Sequence, residues 1–444
     1  MVALLLAAAG LAVAARIDRP LSQPSVVPNV PASLLVAGSS PTLPWPATGQ
    51  GAVSVPSLGF AAQSGPESPV PIASLTKMTN ALVVLRDHPV PPGASGPSIT
   101  ITSADVAEYD NELHNDESTL SIRVGEVLTE RQMLEAMLTQ SANDVAYSLA
   151  LWDAGSIPAF VAKMNAATAQ LGATSSHYVD ASGYDPASVS TAADCLRIAA
   201  AAMAIPTFAQ VVGMSSVTLP LVGTIPNIVT EIGSDNVVGI KSGYTSEAKA
   251  CMVLAADRVI EGRSVLVLAA VLTQPVPPPV EPTTTTTTTT TAPKTPGSPA
   301  PPPTSTSTST STSTTTTIPQ DDLQVPDPFR YTRPVIQALL GAAEAGVVQS
   351  TVATAGQTTA VVLADWGGKP HSARVVAGQG AWLAGWPGQR VVATTQLAPV
   401  PPGSASGRTV GKAVYTLGTQ TEQVPLRLAT TVPEPSWWWR LVHN

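Results

Sequence analysis

The sequence predicts an α/β (α+β) chain in which an antiparallel sheet is covered by helices and is followed by a small C-terminal all-β domain. Three features point there. Apolar residues recur at helical spacing before residue 155, runs of Val, Leu and Ala cluster between 237 and 272, and short strand-like runs dominate after residue 347. Helices that precede strands, without regular alternation, favour segregated layers over a parallel sheet. At roughly 150 residues per domain, 444 residues allow two or three domains.

Composition narrows the function classes. With 22 Lys+Arg against 30 Asp+Glu the formal charge is −8, so nucleic acid is a poor partner. Hydrophobic residues make up 44%, too many for a chain disordered throughout. The two cysteines, Cys195 and Cys251, exclude a four-cysteine zinc site, and the sequence leaves open whether they are bridged. The five histidines form no close ligand pair, so no metal and no cofactor is expected.

The first apolar run, Val2 to Ala15, ends at Arg16. As a helix it would be about 21 Å long, short of a hydrocarbon core of about 30 Å. Residues 1–22 therefore read as a signal peptide or truncated N-terminal anchor, although no basic residue precedes the run. Ser74 to Arg86 puts Leu75, Met78, Leu82 and Leu85 on one helical face, and Glu130 to Leu138 does the same with Met133, Leu134, Met137 and Leu138. Val145 to Trp152 is a further helical stretch. Val237 to Thr245, Cys251 to Ala256 and Ser264 to Leu272 read as strands. Residues 275–322 are a Thr/Ser/Pro-rich tract with nothing to form a core, expected to be disordered, either a passive spacer or a carrier of O-linked sugars. Arg333 to Ala345 is one more helix. Thr359 to Ala364, Arg390 to Thr394, Thr409 to Leu417 and Gln423 to Leu428 are strands of the last domain, 347–444.

Serine becomes a nucleophile when a base is held within reach. In Ser74-Leu75-Thr76-Lys77 the i,i+3 spacing brings hydroxyl and amine to one helical face. A lysine serves as base if burial or another cation lowers its pKa, and Lys241 is a candidate second cation. Each short motif has a decoy here. SxxK recurs at Ser246–Lys249, and SxN occurs both at Ser141-Ala142-Asn143 and at Ser234-Asp235-Asn236. Context favours Ser74, which opens an amphipathic helix, and Ser141, which lies in a turn between two helices. The decoys flank Lys241-Ser242-Gly243 in turns, where Ser, Asp and Asn are common for conformational reasons.

The ordered set of Ser74-x-x-Lys77, Ser141-x-Asn143 and Lys241-Ser242-Gly243 resembles the penicillin-binding and serine β-lactamase superfamily, with its SxxK, SxN and KTG signature. The flanks Ile72 to Thr79, Ser141 to Asp144 and Gly239 to Thr245, with His177-Tyr178 through Gly183-Tyr184 to Asp194, are similar to the low-molecular-mass D-alanyl-D-alanine carboxypeptidases. The resemblance covers roughly residues 50–272 and implies a catalytic domain over 50–346. The tract at 275–322 would then be an insert within it, and Arg333 to Ala345 a helix packed back on the sheet.

The same resemblance implies that Ser74 is the acylated nucleophile, Lys77 its general base and Ser141 a proton relay to the leaving amine. Asn143 would hold the substrate amide. Lys241 would lower the pKa of Lys77 and, with Ser242, bind the terminal carboxylate. The backbone N–H groups of Ser74 and Tyr244 would form the oxyanion hole. Gly243 would leave room for an extended peptide along the strand edge. Implied partners are a peptidoglycan stem peptide ending in D-Ala-D-Ala and β-lactams as covalent inhibitors, at the cell envelope after export, with membrane association through the N-terminus.

Two residues depart from the pattern: Ser242 stands for the usual Thr, and Lys249 for a usual Gly. Arg330 and Arg333 lie near a position where the family often has a carboxylate-contacting arginine; surface arginines are the simpler reading. His177 reads as a structural hydrogen-bonding residue, and Trp437, Trp438 and Trp439 as packing of a final strand rather than a membrane or glycan contact. Competing functions are a serine β-lactamase, disfavoured because no Glu lies between Glu135 and Glu231 to activate water, and a non-catalytic cell-wall scaffold.

Overall fold

A computed structural model describes residues 1–19, 21–260, 262–278, 327–366 and 369–443. Within the Thr/Ser/Pro tract residues 275–278 are described and the backbone of Thr284–Thr289 pairs antiparallel with Ser311–Thr316; the remainder of 275–322, and with it the expectation of disorder, lies outside the described residues.

The central element is a five-stranded antiparallel sheet in the order Val237–Thr245, Lys249–Ile260, Arg263–Gln274, Gln50–Val55, Phe60–Gln63. Its two long strands are apolar throughout residues 250–256 and 265–272 because both faces are covered. On strand Lys249–Ile260, Cys251, Val253 and Ala255 join a core shared with the helices, while Met252, Leu254 and Ala256 join a second core on the opposite face. Period-two alternation therefore separates two apolar sets rather than apolar from polar.

The first core packs helix Thr76–Asp87 against helices Glu130–Thr139, Asn143–Ala154 and Ala192–Met203. Helix Glu130–Thr139 opens with a capping box, Thr129 with Gln132, which satisfies two otherwise orphaned N–H groups. The second core is closed by helix Thr332–Gly346, whose Ile336, Leu339, Leu340 and Ala343 lie on the sheet. The chain thus returns to this sheet after the tract.

The second large sheet has seven antiparallel strands, ordered Ser25–Pro28, Thr358–Trp366, Lys369–Ala377, Gln420–Leu428, Thr409–Leu417, Arg390–Leu397, Ser33–Leu35. Both edges come from the N-terminal segment, which sequence reading left unassigned. Pro28 and Ser33 are separated by four residues, at most about 3.5 Å each, so the sheet must curl until its two edges approach. The two sheets are joined by contacts of several kinds. Phe60 stacks on Trp386 with ring centroids 3.9 Å apart, Arg263 pairs with Glu422 at 2.5 Å, and Gln389 Nε2 donates to Leu58 O at 3.1 Å.

The termini differ from expectation at one point. Trp437–His443 is a helix, not a strand; Trp437 and Trp438 are exposed, and only Trp439 packs against the β core. Val2–Ile17 is helical with no buried residue, and among the described residues no single helix is long and apolar enough to cross a membrane.

Candidate active site

Ser74 sits in a short 3₁₀ turn, Ala73–Leu75, that runs directly into helix Thr76–Asp87. Its predecessor Ala73 has φ 47°, a left-handed conformation that costs a non-glycine residue about 1–3 kcal/mol and holds the serine at the sharp entry to the helix. Lys77 follows one turn on, and its Nζ lies 3.0 Å from Ser74 Oγ.

Lys77 is fully buried, and its Nζ also donates to Asn143 Oδ1 at 2.5 Å and to Ser182 O at 2.9 Å. As a neutral amine it keeps the last two bonds and turns its lone pair to the Ser74 hydroxyl. Burial lowers its pKa to about 8, against the pull of Asp180, Glu112, Glu117 and Asp144 in the opposite direction. About a tenth of the molecules would therefore carry neutral Lys77 at pH 7.

Lys241 is the second buried lysine. It lies in the edge strand Val237–Thr245, is 1% exposed, and its Nζ donates to Ser242 O at 2.8 Å. Burial first, and repulsion from Lys77 second, hold it well below an ordinary lysine. Burial is the leading cause of the shift at both lysines, and the repulsion between the two cations acts in the same direction.

Gly243 is explained differently from the sequence reading. A Cβ there would stand 2.8 Å from the backbone N of Ser74 and 3.1 Å from Ile72 O. Glycine is needed where the strand touches the nucleophile turn, before any question of peptide access arises.

The predicted residues converge. Ser74, Asn143 and Tyr244 line one cavity of about 420 Å³, together with Glu117, Ser118, Gly183 and Tyr184. Lys77, Ser141, Lys241 and Ser242 do not line it and are buried, at 0, 5, 1 and 2% exposure. Ser141 has φ 62°, a left-handed turn residue directly before the helix that begins at Asn143.

The other candidates do not join them. Arg333 is held by Glu231, at 2.7 Å, and by Asp327, and Arg330 is exposed. His177 pairs through its backbone with Val189 while its side chain is exposed. Cys195 and Cys251 are buried and free. Lys249 is exposed in a turn at φ 58°, the conformation that glycine adopts most readily. Of the decoys, Ser246 reaches the cavity mouth but donates to Glu247 at 2.6 Å, and Ser234 donates to Glu231 O.

Sequence reading missed the carboxylates. Asp180 Oδ2 accepts from Gly183 N and Tyr184 N, each at 2.8 Å, and Oδ1 accepts from Ser188 Oγ at 2.5 Å, folding the loop that delivers Ser182 O to Lys77. Gly183, φ 86°, lets that loop meet Ala73; any Cβ would collide with Ala73 O. The Asp-Ala-Ser-Gly composition of 180–183 signals such a turn. Glu117 accepts from Asn143 Nδ2 at 2.5 Å, and no sequence pattern marks it. Behind it Glu112 and Asp144 are buried, raised by burial to about 9 and about 7.

Residues 61–273 match the family described as D-alanyl-D-alanine carboxypeptidase. The chain is 36% identical over 195 residues to a D-alanyl-D-alanine carboxypeptidase of Mycobacterium tuberculosis, covering 42% of this chain and 62% of the relative. It is 32% identical over 202 residues to a D-alanyl-D-alanine carboxypeptidase of a Streptomyces species, covering 42% of this chain and 67% of the relative. It spans 62% and 60% of the length of two curated relatives, the mycobacterial enzyme and a Pseudomonas aeruginosa D-alanyl-D-alanine endopeptidase. The crystal structure of penicillin binding protein 5 from Haemophilus influenzae superposes with a TM-score of 0.53 at 18% identity, over 90% of this chain and 100% of that one, a likeness of fold. With this family match and a relative 32% identical over 67% of its own length, the chain belongs to the D-alanyl-D-alanine carboxypeptidase family.

Proposed function

We propose that this chain is a serine D-alanyl-D-alanine carboxypeptidase that removes the terminal D-alanine from peptidoglycan stem peptides through a Ser74 acyl-enzyme. The observation that carries the reading is the contact of buried Lys77 Nζ with Ser74 Oγ at 3.0 Å. Ser74 Oγ attacks the carbonyl of the penultimate D-alanine while its proton passes to Lys77. The backbone N–H groups of Ser74 and Tyr244 receive the oxyanion, and Ser141 relays the proton to the departing amine. Asn143 holds the substrate amide; Lys241 and Ser242 take the terminal carboxylate. β-Lactams acylate the same serine.

The catalytic unit comprises residues 50–346, with 275–322 as an insert, and the β unit comprises 347–444, to which Ser25–Pro28 and Ser33–Leu35 add strands. The exposed apolar helix Val2–Ile17 supports export to the cell envelope, as signal or membrane anchor.

Release of D-alanine from a Lys-D-Ala-D-Ala peptide, measured beside hydrolysis of a chromogenic cephalosporin, tests the activity. D-Alanine release exceeding cephalosporin turnover supports the carboxypeptidase. The reverse order identifies a β-lactamase, and the absence of both identifies a scaffold.

A further inference from the structure

Of the three carboxylates that line the cavity, Asp116, Glu117 and Glu247, Glu117 is the one hydrogen-bonded to Asn143. We propose that Glu117 is the general base that activates the water hydrolysing the Ser74 acyl-enzyme, so that hydrolysis outruns transfer to an amine. The proposal rests on the acyl-enzyme reading above.

Glu117 and Ser74 line the same cavity, whose volume of about 420 Å³ exceeds that of a water molecule, about 30 Å³, more than tenfold. The two residues stand at opposite ends of one hydrogen-bonded chain. Glu117 Oε2 accepts from Asn143 Nδ2 at 2.5 Å, Asn143 Oδ1 accepts from Lys77 Nζ at 2.5 Å, and Lys77 reaches Ser74 Oγ at 3.0 Å. Asn143 is thus clamped from both sides, which fixes the carboxylate relative to the nucleophile. The other oxygen, Oε1, has only a long contact of 3.4 Å from Asn115 Nδ2 and is the one left to take a water.

The alternatives are less well placed. Lys77 is fully buried, with its other bonds committed to Asn143 and Ser182, and does not line the cavity, whereas Glu117 does. The remaining lining carboxylates, Asp116 and Glu247, are exposed, and Glu247 is engaged by Ser246. Partial burial raises the Glu117 carboxyl above an ordinary glutamate, the direction that makes a carboxylate a better base.

The step balances without a further reactant. The water oxygen bonds to the acyl carbonyl carbon as its proton passes to the Glu117 carboxylate. The tetrahedral intermediate then breaks the ester bond, and the departing Ser74 Oγ takes up the proton from the Glu117 carboxyl, restoring both groups.

Glu117→Gln tests the proposal, because the amide oxygen can still accept from Asn143. The acylation rate with benzylpenicillin and the lifetime of the adduct are followed by intact-protein mass spectrometry, and partition between hydrolysis and aminolysis is followed with a peptide ester plus added glycine. The expected result is an adduct lived about a hundredfold longer, acylation slowed less than tenfold, and products shifted to the glycine adduct. Glu117→Asp, which restores the charge, should recover part of the hydrolysis. An adduct lifetime within threefold of the parent overturns the proposal. So does an equal fall in acylation and deacylation, which would make Glu117 a support for Asn143 alone. An adduct absent from Ser74 in the unaltered protein overturns the carboxypeptidase reading and this one with it; an adduct whose lifetime ignores Glu117→Gln overturns this one only.

Discussion

The chain contains the same four-residue pattern twice, at Ser74–Lys77 and at Ser246–Lys249, and the two places could hardly differ more in chemistry. The first spans the entry to a helix in the core. There Lys77 is shut away from water, bonded to Ser74 at 3.0 Å and lowered to about 8 by burial. The second spans the exposed turn between two strands, where Ser246 turns to Glu247 and Lys249 to solvent. Spacing puts a hydroxyl and an amine within reach of one another, but desolvation is what makes the amine a base. The nucleophile is therefore defined by the packing beneath it as much as by its motif.

The contrast is broken or sharpened by substitutions at matching positions. The largest effect is expected from Lys77→Met, which should slow penicillin acylation about a thousandfold in stopped-flow measurements, whereas Lys249→Met should change it less than threefold. Comparable losses in the two variants would remove the distinction. Gly243→Ala should slow acylation about ten- to a hundredfold and lower stability by about 1–3 kcal/mol in chemical denaturation, because its Cβ would stand 2.8 Å from Ser74 N. Gly341→Ala, with nothing within 4 Å, should instead stabilise its helix by about 0.5–1 kcal/mol.

The pH dependence follows from the same burial. Lys77 acts as base only when neutral, and its pKa is lowered from 10.5 to about 8. The acylation rate should therefore be level above about pH 8 and fall about tenfold per unit below it. An inflection near pH 10 would mean that Lys77 behaves like the exposed kind. The smallest effect concerns Lys249→Gly: relief of φ 58° should raise the melting temperature slightly, by about 0.5–1 kcal/mol in stability, and leave penicillin labelling as it was.

Local pattern made much of this legible. The strand Val237–Thr245 carries its motif and its bounds in the sequence, and helix Thr332–Gly346 shows its apolar stripe clearly enough to be placed across a long tract. What sequence could not supply is long-range. The strands Ser25–Pro28 and Ser33–Leu35 are too short to stand out, and they exist only by pairing with partners more than 300 residues later. Helix Ala192–Met203 is absent from the sequence reading, although Thr191 caps it and Cys195, Leu196, Ile198, Ala199 and Ala202 are buried along it. Glu117 comes from a loop upstream of the second motif, and no pattern in the sequence marks it. Lys241 is legible as a motif lysine, but the carboxylates that act on Lys77, Asp180, Glu112, Glu117 and Asp144, are brought together only by the fold.

The central claim is that burial selects Ser74 over its decoy, and peptide mapping of the protein after reaction with benzylpenicillin tests it most directly. The account predicts a single adduct on the peptide containing Ser74, lost in Ser74→Ala and retained in Ser246→Ala. An adduct on Ser246, or labelling that survives Ser74→Ala, would contradict it.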